Sequence, residues 1–335
     1  MQDSAIDDID QRLAHAVQVS PRASWSALAP IVGADPVTLA RRWQRMSEEG
    51  LVYVTGYSAN PGDAPLAIVE IECPPGETLG VAEELSQDGE AFTIDLTSGG
   101  RDIVVTLATA NSAALSSYVL ERISPMARIR SMRTQLVSQT VADARNWRLK
   151  ALTASEVSAA EAADPLPARI SPRLNPELER DLMLELGRDG RAPAKEIAER
   201  IGVTTRRVRD GIAGLRASGR LVIRVDVART FTAWPVYAWY FLRVPATMVG
   251  KVGPQLSRMD EVRLVVNTVG EYNMIMAVWL RTLHDVQRLE AILEHKMPGL
   301  VIADRSVVLR TVKHLGHMLD ERGFATGETV WLPLG

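Results

Sequence analysis

Apolar residues recur at helical spacing in three short stretches within residues 174–217, and this spacing predicts three helices. The apolar face of the first helix, LNPELERDLMLELGRD, consists of Leu178, Leu182, Met183 and Leu186. The second helix, APAKEIAERIG, ends at Gly202, a residue that favours a helix C-terminus. The third, TRRVRDGIAGLRASG, follows a short turn and takes Thr204 or Thr205 as its N-cap. An alternating segment, RLVIRVDVA, then predicts a strand.

Three short helices, a tight turn before the third and a trailing strand pair predict a winged helix-turn-helix, whose third helix normally enters the major groove of DNA. Residues 193–224 agree with this prediction because they hold eight arginines and lysines against three acids, a local net charge of +5. Such a surface gains phosphate contacts and releases counterions, and arginine is also the usual bidentate reader of guanine. The candidate DNA-binding residues of this copy are Thr204, Thr205, Arg206, Arg207, Arg209 and Arg216. The alternative is that these arginines form only a solvated helix surface.

Residues 9–50 repeat this pattern without a gap at an offset of 169 residues. Matching pairs at this offset are Leu13 with Leu182, Arg22 with Arg191, Gly33 with Gly202, and Gly50 with Gly219. The third helix of this first copy follows Asp35, a good N-cap, and begins at Pro36, a good first helical residue. Its candidate DNA-binding residues are Arg41, Arg42 and Arg45. Acids balance these arginines within residues 24–57, so this copy either contacts DNA more weakly than the second or serves as a scaffold.

Behind each helical part, the predicted elements follow the order strand, helix, strand, strand, helix, strand. In the second copy they are YAWYFLRV, MVGKVGPQLSRM, VRLVVNTV, YNMIMAVWL, DVQRLEAILEHKM and VIADRSVVLRTVKH. The first copy has the same order from LAIVEIEC to IRSMRTQLVSQTV, so that 65–75 aligns with 235–245 and 97–105 with 268–276. This order predicts a ferredoxin-like domain, in which helices cover one face of a four-stranded antiparallel sheet. The other face is usually covered by dimerisation or by a ligand.

The sequence therefore predicts an α+β protein with two winged helix-turn-helix domains and two ferredoxin-like βαββαβ domains in tandem. The predicted segments are 1–57 for the first winged helix, 62–148 for the first ferredoxin-like domain, 149–173 for a linker, 174–228 for the second winged helix and 233–325 for the second ferredoxin-like domain. The linker is rich in Ala, Ser and Pro, although its first half has helical character. Exposed sheet faces favour a homo-oligomer.

Composition narrows the chemistry that this chain can perform. Apolar residues make up 46% of the 335 residues and charged residues 24%, values typical of a globular protein with a large core. The chain has no apolar run of about 18 residues and no basic, apolar leader, so we expect a cytoplasmic protein without a membrane partner. A net charge of −3 means that any attraction to DNA comes from a local patch.

Candidate metal and cofactor sites are scarce in the sequence. Cys73 is the single cysteine, which excludes a disulfide framework and multi-cysteine metal sites. His314 and His317 have a compatible metal spacing on a predicted terminal helix but lack an obvious third ligand. No Walker loop, GxSxG elbow or strand-linked GxGxxG occurs, so we expect no cofactor.

Four segments, together with the order of elements around them, point to one family. They are IDDIDQRL at the start, RAPAKEIAERIGV before the turn, TVGEYNM between two strands, and SVVLRTVKHLGHMLD at the end. With them the chain resembles the Lrp/AsnC family of leucine-responsive, or feast/famine, transcription regulators over nearly its whole length, twice over. It departs from the common family member in being a tandem fusion. The resemblance implies a regulator without catalytic activity that binds double-stranded DNA and whose assembly or DNA binding responds to a small effector, commonly an amino acid.

The resemblance also implies that the effector binds near the glycine-containing turn between the second and third strands of each ferredoxin-like (RAM/AsnC-type) domain. Glycines let backbone N–H groups approach a carboxylate closely, and Asp102 could hold an ammonium group. Asn273 occupies the equivalent position in the second copy, so the two pockets differ in ligand or one is empty. The candidate effector-binding residues are Ser98, Gly99, Gly100, Asp102, Gly270, Glu271, Tyr272 and Asn273. The alternative is a turn that merely connects two strands.

Two further alternatives remain open at this point. Some Lrp-like chains built from paired units are enzymes, notably siroheme decarboxylases. Decarboxylation of an anionic tetrapyrrole would require histidine and arginine around the third strand. The segment YNMIMAVWL contains neither residue. Trp239 and Trp279 lie in predicted strands, either on the helix-covered side of the sheet or on its pairing face.

Overall fold

The structure is a computed structural model that describes residues 6–58, 65–166 and 174–331, and the chain divides into two compact units. Unit 1 comprises residues 1–62, 148–231 and 324–335 and holds the front parts of both copies. Unit 2 comprises residues 63–147 and 232–323 and holds both rear parts. Like parts of the two copies therefore fold together.

The helices and strands of unit 1 include the three predicted helices of each copy. The helices are α1 (Asp8–Val19), α2 (Trp25–Val32), α3 (Pro36–Glu48), α6 (Ala154–Ala162), α7 (Pro176–Arg188), α8 (Ala194–Ile201) and α9 (Thr205–Ala217). The strands are β1 (Val52–Ser58), β6 (Leu221–Val227) and β12 (Ala325–Thr329).

The elements of unit 2 follow the predicted βαββαβ order in each copy. The helices are α4 (Thr78–Ser86), α5 (Ser112–Ser117), which continues as a π-helical turn over Tyr118–Ile123, α10 (Val249–Leu256) and α11 (His284–Lys296). The strands are β2 (Leu66–Glu72), β3 (Ala91–Thr97), β4 (Ile103–Ala108), β5 (Ser131–Ala142), β7 (Val236–Arg243), β8 (Val262–Val269), β9 (Met274–Leu280), β10 (Val301–His314) and β11 (His317–Leu319).

The strands of the winged helices differ from the prediction of a strand pair in each copy. Each copy contributes one strand to a ribbon, and β1 pairs with β6 in antiparallel register. Thr55 lies opposite Arg224, its own counterpart at the offset of 169, so a pseudo-two-fold axis relating the two copies passes through this pair. A single strand leaves its backbone groups unpaired, and here the other copy supplies the partner.

The segment predicted as a linker contains α6, which packs into the core of the first winged helix. Leu152 and Ala160 are buried there with residues of α1, α2 and α3. Glu156 accepts a hydrogen bond from Arg12 at 2.8 Å, and this bond, with those from Thr153, lowers the pKa of Glu156 to about 2. The helical character of the first half of this segment is confirmed, and the helix is part of the fold.

The eight long strands of unit 2 close into a ring. In order around it they are β3, β4, β2, β5, β8, β9, β7 and β10, and β10 pairs back onto β3. The helix-free faces of the two sheets pack on each other, with Ile68 and Val104 from the first copy against Trp239 and Phe241 from the second. Intramolecular pairing therefore covers the face that the sequence left open, and Trp239 and Trp279 lie on this pairing face.

The register of the strands corrects the alignment of the first strands of the two rear parts by one residue, whereas the alignment of 97–105 with 268–276 already had the correct offset. Val69 lies opposite Val105, and Tyr240 lies opposite Met276, so these positions correspond at an offset of 171. The alignment of 65–75 with 235–245 used an offset of 170. Because side chains alternate between faces along a strand, the correction exchanges the faces, and Glu70 corresponds to Phe241.

The two closely spaced histidines also differ from prediction. His314 ends β10 and His317 begins β11, and they face each other in a hairpin, where a terminal helix was predicted. Among the described residues, no group of three or more histidine, cysteine or acidic side chains is arranged to hold a metal ion.

Candidate nucleic-acid interface and effector turns

The surface of α9 carries most of the predicted DNA-binding residues of the second copy. Thr204 is the N-cap and its hydroxyl accepts a hydrogen bond from the Arg207 N–H, while Thr205 begins the helix. Val208, Ile212 and Leu215 are buried, as their spacing predicted. The opposite face is open to solvent because the same 3.6-residue period turns the intervening side chains outward.

Three arginines protrude from the first two turns of α9. Arg206 has 92% of its side chain exposed and lies 3.7 Å from Asp210, its one ion-pair partner within the described residues. Arg207 and Arg209 are exposed as well. A salt bridge between side chains this exposed contributes little, so these guanidinium groups are available to an external anion.

Arg216, also predicted to bind DNA, has a different position. It is half-buried and pairs with Asp164 at 2.9 Å. Its charge is therefore neutralised inside unit 1, and the ion pair connects α9 to the segment that follows α6.

In the first copy, two of the three predicted arginines pair with the buried Asp10. Arg42 donates to Asp7 at 2.7 Å and to Asp10 at 3.0 Å, and these bonds raise the pKa of Arg42. Arg45 donates to Asp10 at 2.6 Å. Of the three arginines, Arg41 is exposed, and Arg42 and Arg45 are half-buried. The pairs tie α3 to α1, which favours a structural role for Arg42 and Arg45.

The predicted effector turn of the first copy lies between β3 and β4. Ser98 exchanges two hydrogen bonds with the backbone of Val307, at 2.8 and 3.1 Å. Gly99 and Gly100 are exposed, and Gly99 has φ +94°, which favours glycine. Asp102 accepts a hydrogen bond from the Cys73 N–H at 2.7 Å, so one carboxylate oxygen holds the end of the first strand.

The turn of the second copy repeats this arrangement with different chemistry. Asn273 accepts from the Val244 N–H at 2.8 Å and donates to the Val244 carbonyl at 2.7 Å, as the counterpart of Asp102. Tyr272 packs on Phe241 with ring centroids 5.2 Å apart. Glu271 pairs with Arg243 at 2.7 Å. A Cβ on Gly270 would lie 1.9 Å from the Gln135 side-chain oxygen, so any other residue here would displace the Gln135 side chain.

Sequence reasoning missed Arg101, the most densely bonded side chain of these turns. Its side chain is 2% exposed and pairs with Glu70 and Asp304, each at 2.7 Å. It also donates to Ser306 at 2.8 Å and stacks on the Phe241 ring at 3.8 Å. The signal was present in the alignment, since the counterpart of Arg101 is Tyr272 and a charged residue replaces an aromatic one.

The eight predicted effector residues therefore lie on two corresponding turns that approach the same end of the paired sheets. Arg101 from one turn and Tyr272 from the other both contact Phe241. Asp102 and Asn273 act on their own strands, which leaves the prediction that Asp102 holds an ammonium group untested.

Comparison with known proteins identifies the domains. The sequence model of the AsnC-type helix-turn-helix domain matches residues 6–47, and that of the Lrp/AsnC ligand binding domain matches residues 66–147. The chain thus contains the two domains of the Lrp/AsnC family within residues 6–147. It is a transcriptional regulator of the Lrp/AsnC type with a ligand-binding domain, as the resemblance predicted.

Relatives in the Lrp/AsnC family have about the length of one copy. An HTH-type transcriptional regulator of Pyrococcus furiosus is 24% identical over 136 residues, which are 40% of this chain and 92% of that protein. The HTH-type transcriptional regulator FL11 of Pyrococcus abyssi is 27% identical over 139 residues, which are 41% of this chain and 91% of that protein. This chain thus contains the fold of such a protein twice.

A solved structure shows the fold of the whole tandem chain. The siroheme decarboxylase NirDL superposes with a TM-score of 0.59 at 14% sequence identity, over 92% of this chain and 93% of that chain. At this identity the likeness concerns the fold, which is confirmed as two winged helices and two ferredoxin-like domains. Within the described residues, no helix is long and apolar enough to cross a membrane.

Proposed function

We propose that this protein binds double-stranded DNA in a sequence-specific manner through the exposed face of α9, and that a small effector bound at the turns of unit 2 modulates that binding. The observation that carries the proposal is the cluster of Arg206, Arg207 and Arg209 on a capped third helix whose opposite face is buried. A helix placed this way in a helix-turn-helix presents its first turns to base edges. A regulator of chromosomal genes would act in the cytoplasm.

The charge distribution supports DNA as the ligand. Several other arginines of the two winged helices pair with acids at short range, as Arg220 does with Glu179 at 2.6 Å. The three arginines of α9 keep their charges on the surface. In a chain with a net charge of −3, this local patch can attract phosphates, release counterions and read guanine.

An amino acid or a related metabolite is the proposed effector class. Exposed glycines, such as Gly99 and Gly100, bring backbone N–H groups to the surface, where a carboxylate can approach them. Corresponding positions of the two turns carry different side chains, Arg101 in the first copy and Tyr272 in the second. We therefore expect the two sites to bind the effector with different affinities. The effector acts only if it binds two arrangements of the protein with different affinity.

Fluorescence anisotropy with DNA from upstream of the protein's own gene tests the proposal. We expect specific binding that weakens steeply with salt, and a loss of at least about a hundredfold when Arg206, Arg207 and Arg209 are all changed to Ala. The matched control changes three exposed cations of unit 2, Lys251, Arg258 and Arg288, to Ala. Equal binding by the two triple variants would refute the assignment of α9.

A panel of amino acids added to the same titration identifies the effector. Any amino acid that shifts the DNA affinity must itself bind more tightly in the presence of DNA, or less tightly, by the same factor. If DNA binding is absent with and without the panel, the fold shared with NirDL makes tetrapyrrole turnover the next assay, followed by its absorption spectrum.

A further inference from the structure

The two helices that occupy the DNA-reading position, α3 and α9, are equivalent in fold but unlike in their exposed side chains. Both are third helices of 13 residues with a side-chain N-cap, Asp35 in one and Thr204 in the other. At the offset of 169, the outward positions of their first two turns pair Val37 with Arg206, Thr38 with Arg207, Ala40 with Arg209, and Arg41 with Asp210. The two helices carry different residues at each of these four outward positions.

The exposed face of α3 combines an apolar side chain with a single charge. Val37 is 78% exposed at the first turn of the helix, although valine normally favours burial. Arg41 is exposed one turn later. An apolar side chain at such a position contacts the methyl group of thymine, and an arginine reads guanine or a phosphate.

The exposed face of α9 combines three positive charges with one negative charge. Arg206, Arg207 and Arg209 favour guanine edges and phosphates, and Asp210 is an acceptor for the amino group of cytosine. This face contributes far more to counterion release than the face of α3 does. The chemistry of the two faces therefore calls for two different base sequences.

The two helices belong to one unit, and hydrogen bonds from arginine side chains to backbone carbonyls join its two halves. Arg22 donates to the carbonyls of Gly190 and Ala192, at 2.6 and 2.9 Å. Its counterpart Arg191 donates to the carbonyls of Pro21 and Ala23, at 2.5 and 2.9 Å. These reciprocal bonds and the β1–β6 ribbon obey the pseudo-two-fold symmetry, so the backbone presents two equivalent readers as a pair.

The backbones of α3 and α9 are related by symmetry but their exposed side chains differ, and this difference determines which DNA sequence fits the pair. A homodimer of single-copy chains presents two identical faces, and a palindrome matches it. We infer that the DNA segment bound by one chain of this protein is not a palindrome: α3 reads a half-site through thymine and α9 reads an unlike half-site rich in guanine. The inference rests on the proposed function and concerns only how the operator is divided.

Selection from a random double-stranded DNA library, followed by sequencing, tests the inference. The full chain is expected to select a motif with two unlike halves. The variant Arg206→Ala, Arg207→Ala, Arg209→Ala should lose the preference in one half, and the variant Val37→Ser, Arg41→Ala should lose it in the other. All five side chains are exposed or at the helix surface, so both variants should keep the wild-type melting temperature.

Binding to three duplexes then gives the effect a magnitude. We expect the selected site to bind at least about tenfold tighter than either palindrome made by repeating one of its halves, because even one mismatched base pair weakens specific binding by about this factor. Selection of a palindrome, or loss of preference in the same half by both variants, would overturn the inference and leave the proposed function standing. Selection of no motif at all would overturn both. If two chains assemble on DNA, the motif repeats as a whole and the two variants still affect different halves.

Discussion

Asp10 is a carboxylate in the core of the first winged helix that holds two arginines of the candidate reading helix. Its side chain is 1% exposed, with Arg42 at 3.0 Å and Arg45 at 2.6 Å. Asp10→Ala is expected to lower the free energy of unfolding of unit 1 by about 1–3 kcal/mol, toward the lower end because the partly exposed arginines regain water. Scanning calorimetry measures the change.

The control for this prediction is Arg41→Ala, which removes an exposed charge from α3, the helix that carries Arg42 and Arg45. It should change the free energy of unfolding by less than about 0.5 kcal/mol. Similar melting temperatures for the two variants would contradict a structural role of Arg42 and Arg45.

We expect His15 to make the stability of unit 1 sensitive to mild acid. It is 3% exposed, and its Nδ1 accepts a hydrogen bond from the Leu152 N–H at 2.9 Å. Burial, followed by the charge of Arg148, lowers the pKa of His15 to about 4. Between pH 6.5 and 4 the unfolded chain binds this proton and the folded chain does not, so stability falls as the pH falls through this window, by at most about 3 kcal/mol.

Thermal unfolding at pH 7 and pH 5 measures this effect with His15→Asn as the matched variant. Asparagine keeps an acceptor for the Leu152 N–H but does not titrate. The variant should lose less stability than the wild type between these two pH values. An equal loss would assign the acid sensitivity to other groups.

At the scale of single residues, the sequence predicted exposure better than it predicted partners. The helical period alone placed Arg206, Arg207 and Arg209 on the outer face of α9, and they are exposed there. The ion pairs of Arg42 with Asp7 and Asp10 join residues more than 30 positions apart, and no local pattern encodes them. Arg101 escaped notice for the same reason, since Glu70 and Asp304 come from two other strands.

At the scale of elements, Arg22 and Arg191 hold the loops after α1 and α7 together. Burial lowers the pKa of Arg191 to about 10, and its guanidinium also stacks on Trp25 at 4.0 Å. We expect Arg22→Ala to destabilise unit 1 by about 2 kcal/mol and Arg191→Ala by about 1 kcal/mol more, because only the second also loses a cation–π contact. Calorimetry ranks the two variants, and Arg188→Ala, which removes a side chain that is 61% exposed, is the control.

The pairing of elements shows where the sequence stopped being informative. Alternation identified β1 and β6 as strands, but each was expected to find a partner within its own copy, and each pairs with the other copy. The βαββαβ order was correct in both rear parts, while the alignment of β2 with β7 was wrong by one residue. Strand identity follows from local periodicity, whereas register depends on packing against distant strands.

At the scale of the whole molecule, the polar cluster around Arg101 favours pairing of unlike copies in unit 2. Arg101 of the first copy reaches Asp304 and Ser306 of the second. At the offset of 171, the counterparts of these two residues in the first copy are Arg133 and Gln135. Self-pairing of the first copy would therefore bring Arg101 toward Arg133 in place of Asp304, and the buried charges would repel each other.

Separating the copies tests whether this cluster directs assembly. We expect residues 1–169 and 170–335, produced together as two chains, to form a one-to-one complex, because β5 needs β8 and β10 needs β3 to close the ring. Native mass spectrometry of the mixture counts the species. Asp304→Arg places a like charge beside Arg101 and should shift the mixture away from the one-to-one complex, whereas Arg258→Ala, at an exposed site of the same unit, should not. Self-paired first halves as abundant as mixed pairs would show that the shape of the sheets, and not this cluster, selects the partner.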